Sequence, residues 1–140
     1  MKADRINLVT LGVRDVAAAR AFYERLGFRA EESPPSVAFF DLGGMKLGLF
    51  GLDDLAAEQG RPAGELGRGA TTLAVNWRSA AEVDAAYAQA IEAGATVLAR
   101  PVKMDWGGYS SYWADPDGHV WEYAHNPFWT LDADGRLAPA

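Results

Sequence analysis

Apolar and polar positions follow the same order twice along this 140-residue chain. The first round opens on the β-branched and aliphatic run 6–13, which predicts a strand. Apolar residues at helical spacing come next, between the N-cap candidate Asp15 and a helix-ending Gly27. Three short runs then predict strands at 28–32, 37–42 and 45–50. The first round therefore has the order βαβββ.

The second round repeats that order. It begins with a predicted strand at 70–77, followed by Ser79 and Glu82, whose spacing is that of a capping box at a helix start. The helix ends at Gly94, and three strands are predicted after it, at 95–99, 109–114 and 119–125. Two similar modules of roughly 60 residues predict a paired fold with one site between the halves.

The segment between the rounds, 52–68, predicts a connector. Its start fits a short helix over 52–59, and its second half is rich in Gly and Pro. We predict a single α+β domain over 1–140, with these parts: module one at 6–51, the linker at 52–68, module two at 69–127 and a tail at 128–140.

Composition narrows the classes of function. A net charge of −6 and a pI near 4.8 argue against nucleic acid as a partner, because phosphate binding requires clustered Lys and Arg. The chain has no cysteine, so disulfides and thiolate chemistry are excluded. No signal-like segment and no run of about 20 apolar residues is present. We therefore expect a cytoplasmic protein with no membrane partner.

Three stretches carry a resemblance to a known family: 12–15, 22–28, and the run Tyr-Trp-Ala-Asp-Pro-Asp-Gly-His-Val-Trp-Glu at 112–122. With these motifs the chain resembles the vicinal oxygen chelate superfamily, which includes glyoxalases, bleomycin-resistance proteins and extradiol dioxygenases. The similarity extends over residues 6–127. It implies two βαβββ modules that form a curved mixed sheet around a cleft, with helices on the outer faces.

The resemblance also implies four positions that hold a divalent metal in metal-using members. By the spacing of the repeat they correspond here to Leu8, Gly48, Ala70 and Glu122. Such a metal needs several nitrogen or oxygen ligands, and only Glu122 offers a side-chain donor. We therefore expect no cofactor. The alternative is a divalent metal bound by Glu122 together with water or substrate.

Glu122 is the strongest candidate for function, as a general base or as a hydrogen-bond acceptor for a ligand. The alternative is a structural role, with its carboxylate satisfied by Thr72, Asn76 or Tyr109. Trp106 lies between Asp105 and two glycines and suits a lid over a flat ligand, although packing in the core is an equal alternative. The complete set of expected ligand-binding residues is Leu8, Gly48, Ala70, Thr72, Trp77, Trp106, Tyr109 and Glu122. Met104 and Phe128 are expected in the core.

We expect a metal-free member that binds a small apolar or aromatic molecule between the modules. The resemblance implies sequestration of a toxic metabolite or antibiotic by a homodimer. The alternative is a glyoxalase-like lyase or isomerase, or a dioxygenase, that uses Glu122 as metal ligand or general base. A third possibility is a structural or regulatory domain with an empty cleft.

Overall fold

A computed structural model of the chain describes residues 1–67 and 69–139. The chain divides into two compact units, Met1–Gly67 and Arg68–Ala140. Arg68 at the end of the predicted linker and Ala140 at the end of the predicted tail lie outside the described residues. Each unit combines a mixed β-sheet with helices, which confirms the α+β class.

The first unit is built on three strands and two α-helices. In chain order these are β1 (Leu8–Val13), α1 (Val16–Arg25), β2 (Val37–Asp41), β3 (Lys46–Gly51) and α2 (Leu52–Gln59), followed by a 3₁₀ turn at Ala63–Glu65. The strand order is β1-β3-β2, with β1 parallel and β2 antiparallel to the central β3. The predicted short helix in the linker is thus confirmed as α2.

The strand predicted at 28–32 does not form as a full strand. It contributes one isolated bridge, between Ala30 and Phe40, beside a hydrogen bond from the Glu31 N–H to the Phe39 carbonyl at 2.8 Å. The chain then reaches Pro34 and Pro35, which have no N–H for a sheet ladder. The segment therefore ends its pairing after one bridge.

Helix α1 packs on one face of the first sheet. Its N-cap is Asp15, whose carboxylate accepts a hydrogen bond from the Ala18 N–H at 2.9 Å. Phe22 and Tyr23 on α1 are fully buried, and the Tyr23 ring packs against the Phe40 ring at a centroid distance of 6.0 Å. This aromatic group is the core of the first unit, and it leaves the opposite face of the sheet for α2.

The second unit has four strands and one long helix. They are β4 (Thr72–Asn76), α3 (Ala80–Ala93), β5 (Thr96–Lys103), β6 (Tyr109–Ala114) and β7 (Val120–His125). The strand order is β4-β7-β6-β5, with β4 parallel to β7 and the other pairs antiparallel. The predicted order βαβββ is therefore confirmed for this unit, and β5 continues four residues beyond its predicted end.

The start of α3 agrees with the predicted cap. The Ser79 hydroxyl accepts a hydrogen bond from the Glu82 N–H at 3.1 Å. The Glu82 carboxylate accepts from the N–H of Arg78 at 2.9 Å, one residue before the cap. The helix buries its Val83, Tyr87 and Ala90 side.

The core of the second unit is aromatic. The rings of Trp113 and Trp121, paired across β6 and β7, stack at 5.6 Å with an interplanar angle of 7°. Tyr123 packs edge-on against Trp113 at 5.4 Å. These side chains alternate with those of Ser110, Tyr112 and Glu122, which therefore emerge on the other face of the sheet.

The described helices include none that is both long and apolar enough to cross a bilayer.

Candidate functional site

Glu122 lies in the middle of β7, on the sheet face opposite the aromatic core. Its antiparallel partner on β6 is Tyr112, and its parallel partner on β4 is Ala74. Glu122 is half-buried, whereas Ala74 is exposed. The Ala74 side chain is small, and it is uncharged like that of Tyr112, so neither ladder partner neutralises the carboxylate.

Two hydroxyl groups on β6 accompany this carboxylate. The buried Ser110 hydroxyl donates a hydrogen bond to Glu122 Oε2 at 2.8 Å. Burial raises the pKa of the Tyr112 hydroxyl, because it disfavours the charged phenolate. The negative charge of Glu122 and a hydrogen bond to Glu122 raise this pKa further. A hydrogen bond with Ser110 acts in the opposite direction. Tyr112 is therefore a protonated donor at neutral pH. We call Glu122, Ser110 and Tyr112 the carboxylate cluster.

The carboxylate cluster has acceptor capacity left for a ligand. An ionised carboxylate offers about four lone-pair sites, and the cluster supplies two hydroxyl donors. No Lys or Arg of residues 1–67 and 69–139 forms an ion pair with Glu122. The cluster can thus accept hydrogen bonds from a cationic or hydroxylated group, or take a proton from one.

Leu8 and Gly48 come together on one face of the first sheet. A Cβ atom placed on Gly48 would lie 3.2 Å from Phe39 Cε1 and 3.3 Å from Leu8 Cδ1. The space of a side chain at position 48 is therefore occupied by Leu8 and Phe39. This face is apolar at both positions where the resemblance implied metal ligands.

The strand register corrects the repeat spacing by two residues. Gly48 pairs with Thr10, and Glu122 pairs with Ala74. The residue two before Thr10 is Leu8, and the residue two before Ala74 is Thr72. Thr72 and not Ala70 is therefore the counterpart of Leu8, and Ala70 precedes β4.

Two aromatic residues predicted at the site lie elsewhere. Trp77 packs edge-on against Tyr123 at 5.4 Å, on the aromatic side of the second sheet. The Tyr109 hydroxyl donates to Asp84 Oδ1 on α3 at 2.7 Å, and this bond is the main reason that the Tyr109 pKa is raised. Side chains alternate along a strand, so Trp77, after Asn76, and Tyr109, before Ser110, point away from the face that carries Glu122. A role of either residue in binding a ligand stays a prediction. Packing of Trp77 in the core was the stated alternative.

Trp106 lies over the backbone of its own loop. A Cβ atom on Gly108 would collide with Trp106 Cη2, so the indole ring covers that glycine directly. The residue is still 49% exposed. Phe128, expected in the core, is 75% exposed, with its ring 3.7 Å from the position of a Cβ atom on Gly107.

The positions that the family uses for a metal do not fit one here. Leu8 and Gly48 have no donor side chain, Thr72 has a neutral hydroxyl, and Glu122 has the only carboxylate of the four. Within residues 1–67 and 69–139, no three His, Cys, Asp or Glu side chains are grouped as metal ligands. A divalent ion needs several converging donors. We therefore derive no reaction step that uses a metal.

Ser110 and Tyr112 were not predicted as site residues. Their position could have been predicted from the sequence, because the turn Asp115–Gly118 sets the register in which β6 pairs with β7. Asp115 Oδ1 accepts from the Asp117 and His119 N–H groups at 2.9 and 2.8 Å, and Gly118 has φ 88°. Counting outward from this turn places Tyr112 opposite Glu122.

The fold and motifs define a class of paired-module α+β proteins, and comparison with known proteins identifies the family. A model of the glyoxalase/bleomycin resistance protein/dioxygenase superfamily matches residues 5–123, and the chain belongs to this superfamily. The metallothiol transferase FosB of Shouchella clausii (strain KSM-K16) is 30% identical over 119 residues, which are 84% of this chain and 77% of that protein.

Two solved structures are also similar. A glyoxalase-related enzyme from Fulvimarina pelagi has a TM-score of 0.89 and 32% identity, with 98% of this chain and 99% of that chain covered. Lactoylglutathione lyase from Agrobacterium tumefaciens has a TM-score of 0.70 and 25% identity, with 94% of this chain and 100% of that chain covered.

Proposed function

We propose that this superfamily member binds a small, largely apolar or aromatic molecule through its carboxylate cluster, without a metal ion. The ligand carries a cationic or hydroxyl group that donates to Glu122, and its apolar part lies on the neighbouring uncharged sheet surface. The observation that carries the proposal is the Glu122 carboxylate, which has no cationic partner among the residues that the structure describes and has the Ser110 hydroxyl 2.8 Å away. A net charge of −6 favours cationic ligands over anionic ones.

A thermal-shift screen tests binding. EDTA-treated protein is mixed with dicarbonyls, catechols, glycopeptides and flat heterocycles, and the screen is repeated with Mn²⁺, Fe²⁺, Ni²⁺ or Zn²⁺. Ligands that bind the folded chain raise its melting temperature by mass action, so weak ligands are detected at high concentration. We expect hits in EDTA. Hits that appear only with an added metal contradict the proposal.

Adjacent serines on β6 provide a matched pair of variants. Ser110→Ala removes a hydroxyl from the carboxylate cluster, whereas Ser111→Ala removes a buried hydroxyl that donates to the Tyr123 carbonyl at 2.8 Å on the other face. We expect Ser110→Ala to weaken binding of a hit several-fold. Ser111→Ala should lower stability by about 1 kcal/mol and leave affinity unchanged. Equal loss of affinity in both variants would place the ligand elsewhere.

Catalysis is the second candidate function. The Tyr112 hydroxyl beside Glu122 is a potential acid next to a potential base, and the similar lactoylglutathione lyase is an enzyme. In a lyase, isomerase or dioxygenase that depends on Glu122 as general base, Glu122→Gln lowers turnover by about 10²- to 10⁴-fold. In a binding protein the same variant lowers affinity for the hit, and no turnover of it is measured in the wild type.

We also propose that the protein is a homodimer. Among its described residues, the second unit exposes six large apolar side chains that a partner could cover: Leu98, Val102, Trp106, Phe128, Trp129 and Leu137. Sedimentation velocity at micromolar concentration should give a species of twice the chain mass. A single species of monomer mass contradicts the dimer but leaves the ligand proposal unaffected.

A further inference from the structure

A groove of about 460 Å³ follows helix α3 on the outer side of the second sheet, and we call it the α3 groove. One wall is α3 itself, and the other is the second half of β5. Helix α3 packs on the sheet face that carries Tyr109, whereas Glu122 emerges on the opposite face. The sheet therefore separates this groove from the carboxylate cluster. Its volume lies within the range of about 300–1,000 Å³ that is usual for small-molecule sites.

The α3 groove is deepest in side-chain space at the middle of the helix. Asp84, Ala88 and Glu92 follow one another at intervals of four residues, so they lie on one side of α3. Ala88 has only a methyl group and stands between two longer side chains. The helix wall therefore has a small apolar depression with a carboxylate at each end.

The opposite wall depends on an irregular stretch of β5. The pairing of β5 with β6 shifts register between Ala99 and Val102, so Arg100 and Pro101 fall between two ladder pairs. Pro101 suits this position, since it has no N–H to contribute to a ladder. Bulges of this kind redirect side chains, and Arg100 here lines the groove beside α3.

Hydrogen bonds fix two groups of the groove before any ligand arrives. Tyr87, which lines the groove, is buried, and its hydroxyl donates to the Tyr112 carbonyl at 2.8 Å. The Asp84 carboxylate accepts a hydrogen bond from the Tyr109 hydroxyl at 2.7 Å. Groups that are already ordered lose little freedom when a ligand binds, which favours affinity.

Two opposite charges in the α3 groove are left for a ligand. Arg100 and Glu92 both line it, and both are exposed. Neither one forms a hydrogen bond or an ion pair with another residue that the structure describes. A guanidinium group can hold a carboxylate through two parallel hydrogen bonds, and a carboxylate accepts hydrogen bonds from an ammonium group. Apolar surface from Ala88, Ile91 and Pro101 accompanies both charges.

We propose that the α3 groove binds a zwitterionic amino acid with an apolar side chain, with its carboxylate at Arg100, its ammonium at Glu92 and its side chain in the depression at Ala88. A ligand with only one of these charges leaves the other protein charge without a partner, so the zwitterion is preferred. The site uses the α3 face of the second sheet alone, so it does not depend on ligand binding by the carboxylate cluster. It adds a second ligand site to the proposed function.

Three probes with the same ring test the charge requirement. L-phenylalanine carries both charges, phenethylamine lacks the carboxylate, and 3-phenylpropanoate lacks the ammonium group. Each is titrated into methyl-labelled protein and followed by NMR. We expect saturable shifts of the Ala88 and Ile91 methyl signals, with L-phenylalanine bound most tightly. Its affinity should fall as salt is added, since Arg100 and Glu92 are exposed.

Two variants should give a crossed pattern. Arg100→Gln should weaken L-phenylalanine and 3-phenylpropanoate by about 1.5- to 5-fold, the range expected for an exposed ion pair, and should not weaken phenethylamine. Glu92→Gln should weaken L-phenylalanine and phenethylamine by a similar factor and should not weaken 3-phenylpropanoate. The matched controls are Arg29→Gln and Glu65→Gln, which make the same charge changes at exposed residues outside the groove and should have no effect.

Three results would each overturn the inference. They are a singly charged probe that binds as tightly as L-phenylalanine, an unchanged L-phenylalanine affinity in Arg100→Gln or in Glu92→Gln, and a titration without Ala88 and Ile91 shifts. The Ala74 methyl group separates the two sites, because Ala74 pairs with Glu122. Shifts at Ala74 without shifts at Ala88 and Ile91 would place L-phenylalanine at the carboxylate cluster. That outcome overturns the α3 groove and supports the proposed function.

Discussion

Tyr123 is the side chain that we expect to govern stability at high pH. The residue is 5% exposed, and its ring packs against those of Trp77 and Trp113. Burial raises the pKa of Tyr123 to about 12, from the ordinary value of 10.0. The folded chain therefore holds this proton more tightly than the unfolded chain. Its contribution to stability is present below pH 10 and is lost as the pH rises from about 10 to about 12.

The size of this loss follows from the pKa difference. One pKa unit corresponds to about 1.4 kcal/mol, so a difference of about two units corresponds to about 3 kcal/mol once both states are ionised. At pH 11 the unfolded chain is mostly ionised and the folded chain mostly protonated at this residue. The free energy of unfolding has then lost about 1.4 kcal/mol through Tyr123 alone.

Tyr123→Phe isolates this contribution because it keeps the ring and removes the titrating hydroxyl. Urea unfolding is followed by far-ultraviolet circular dichroism at pH 8 and pH 11 for wild type and variant. The fall in unfolding free energy between the two pH values should be smaller in the variant by about 1.4 kcal/mol. Other tyrosines titrate in both proteins and cancel in this comparison. Equal falls in the two proteins would refute the argument from burial.

Three other predictions concern local contacts. Glu122→Gln should lower the pKa of Tyr112, because it removes a nearby negative charge. Ultraviolet titration of the phenols measures this pKa, and Tyr112→Phe identifies the signal of Tyr112. An unchanged titration curve contradicts the contact between Glu122 and Tyr112. Ser79→Ala should cost about 1 kcal/mol of unfolding free energy by removing the cap of α3, and an unaltered urea midpoint would show that the cap contributes nothing. Gly12→Ala should cost about 1 kcal/mol, at the low end for overpacking, because the new methyl group meets only the terminal methyl groups of Leu52 and Leu55; a wild-type melting temperature speaks against this packing.

Elements with strong local signals were predictable from the sequence. The cap of α3 at Ser79, the glycine that ends it at Gly94 and the turn at Asp115–Gly118 all lie where side-chain chemistry predicts them. The strand predicted at 28–32 was wrong, because these five residues include three charged side chains and pair only through the bridge between Ala30 and Phe40. Capping and turn residues thus predicted the ends of the helix and the hairpin turn better than the sequence predicted which strands pair.

Which residues lie at the candidate site depends on the register of the paired strands, and the sequence indicates this register less directly than it indicates helix caps and turns. The repeat spacing pointed to Ala70, and ladder pairing moved the equivalent position to Thr72. Tyr109 directly precedes the cluster member Ser110. Because consecutive side chains of a strand point to opposite faces, Tyr109 lies on the other face of the sheet. The packing of Leu52 and Leu55 of α2 over Gly12 is a tertiary contact that no periodicity indicates.

Metal content tests the central claim most directly. Wild type and Glu122→Gln are dialysed to equilibrium against Mn²⁺, Ni²⁺ and Zn²⁺ and measured by elemental analysis. Since Glu122 is the only carboxylate among the four family positions, we predict well under one ion per chain, with no difference between the two proteins. One tightly held ion per wild-type chain that Glu122→Gln releases would contradict the account.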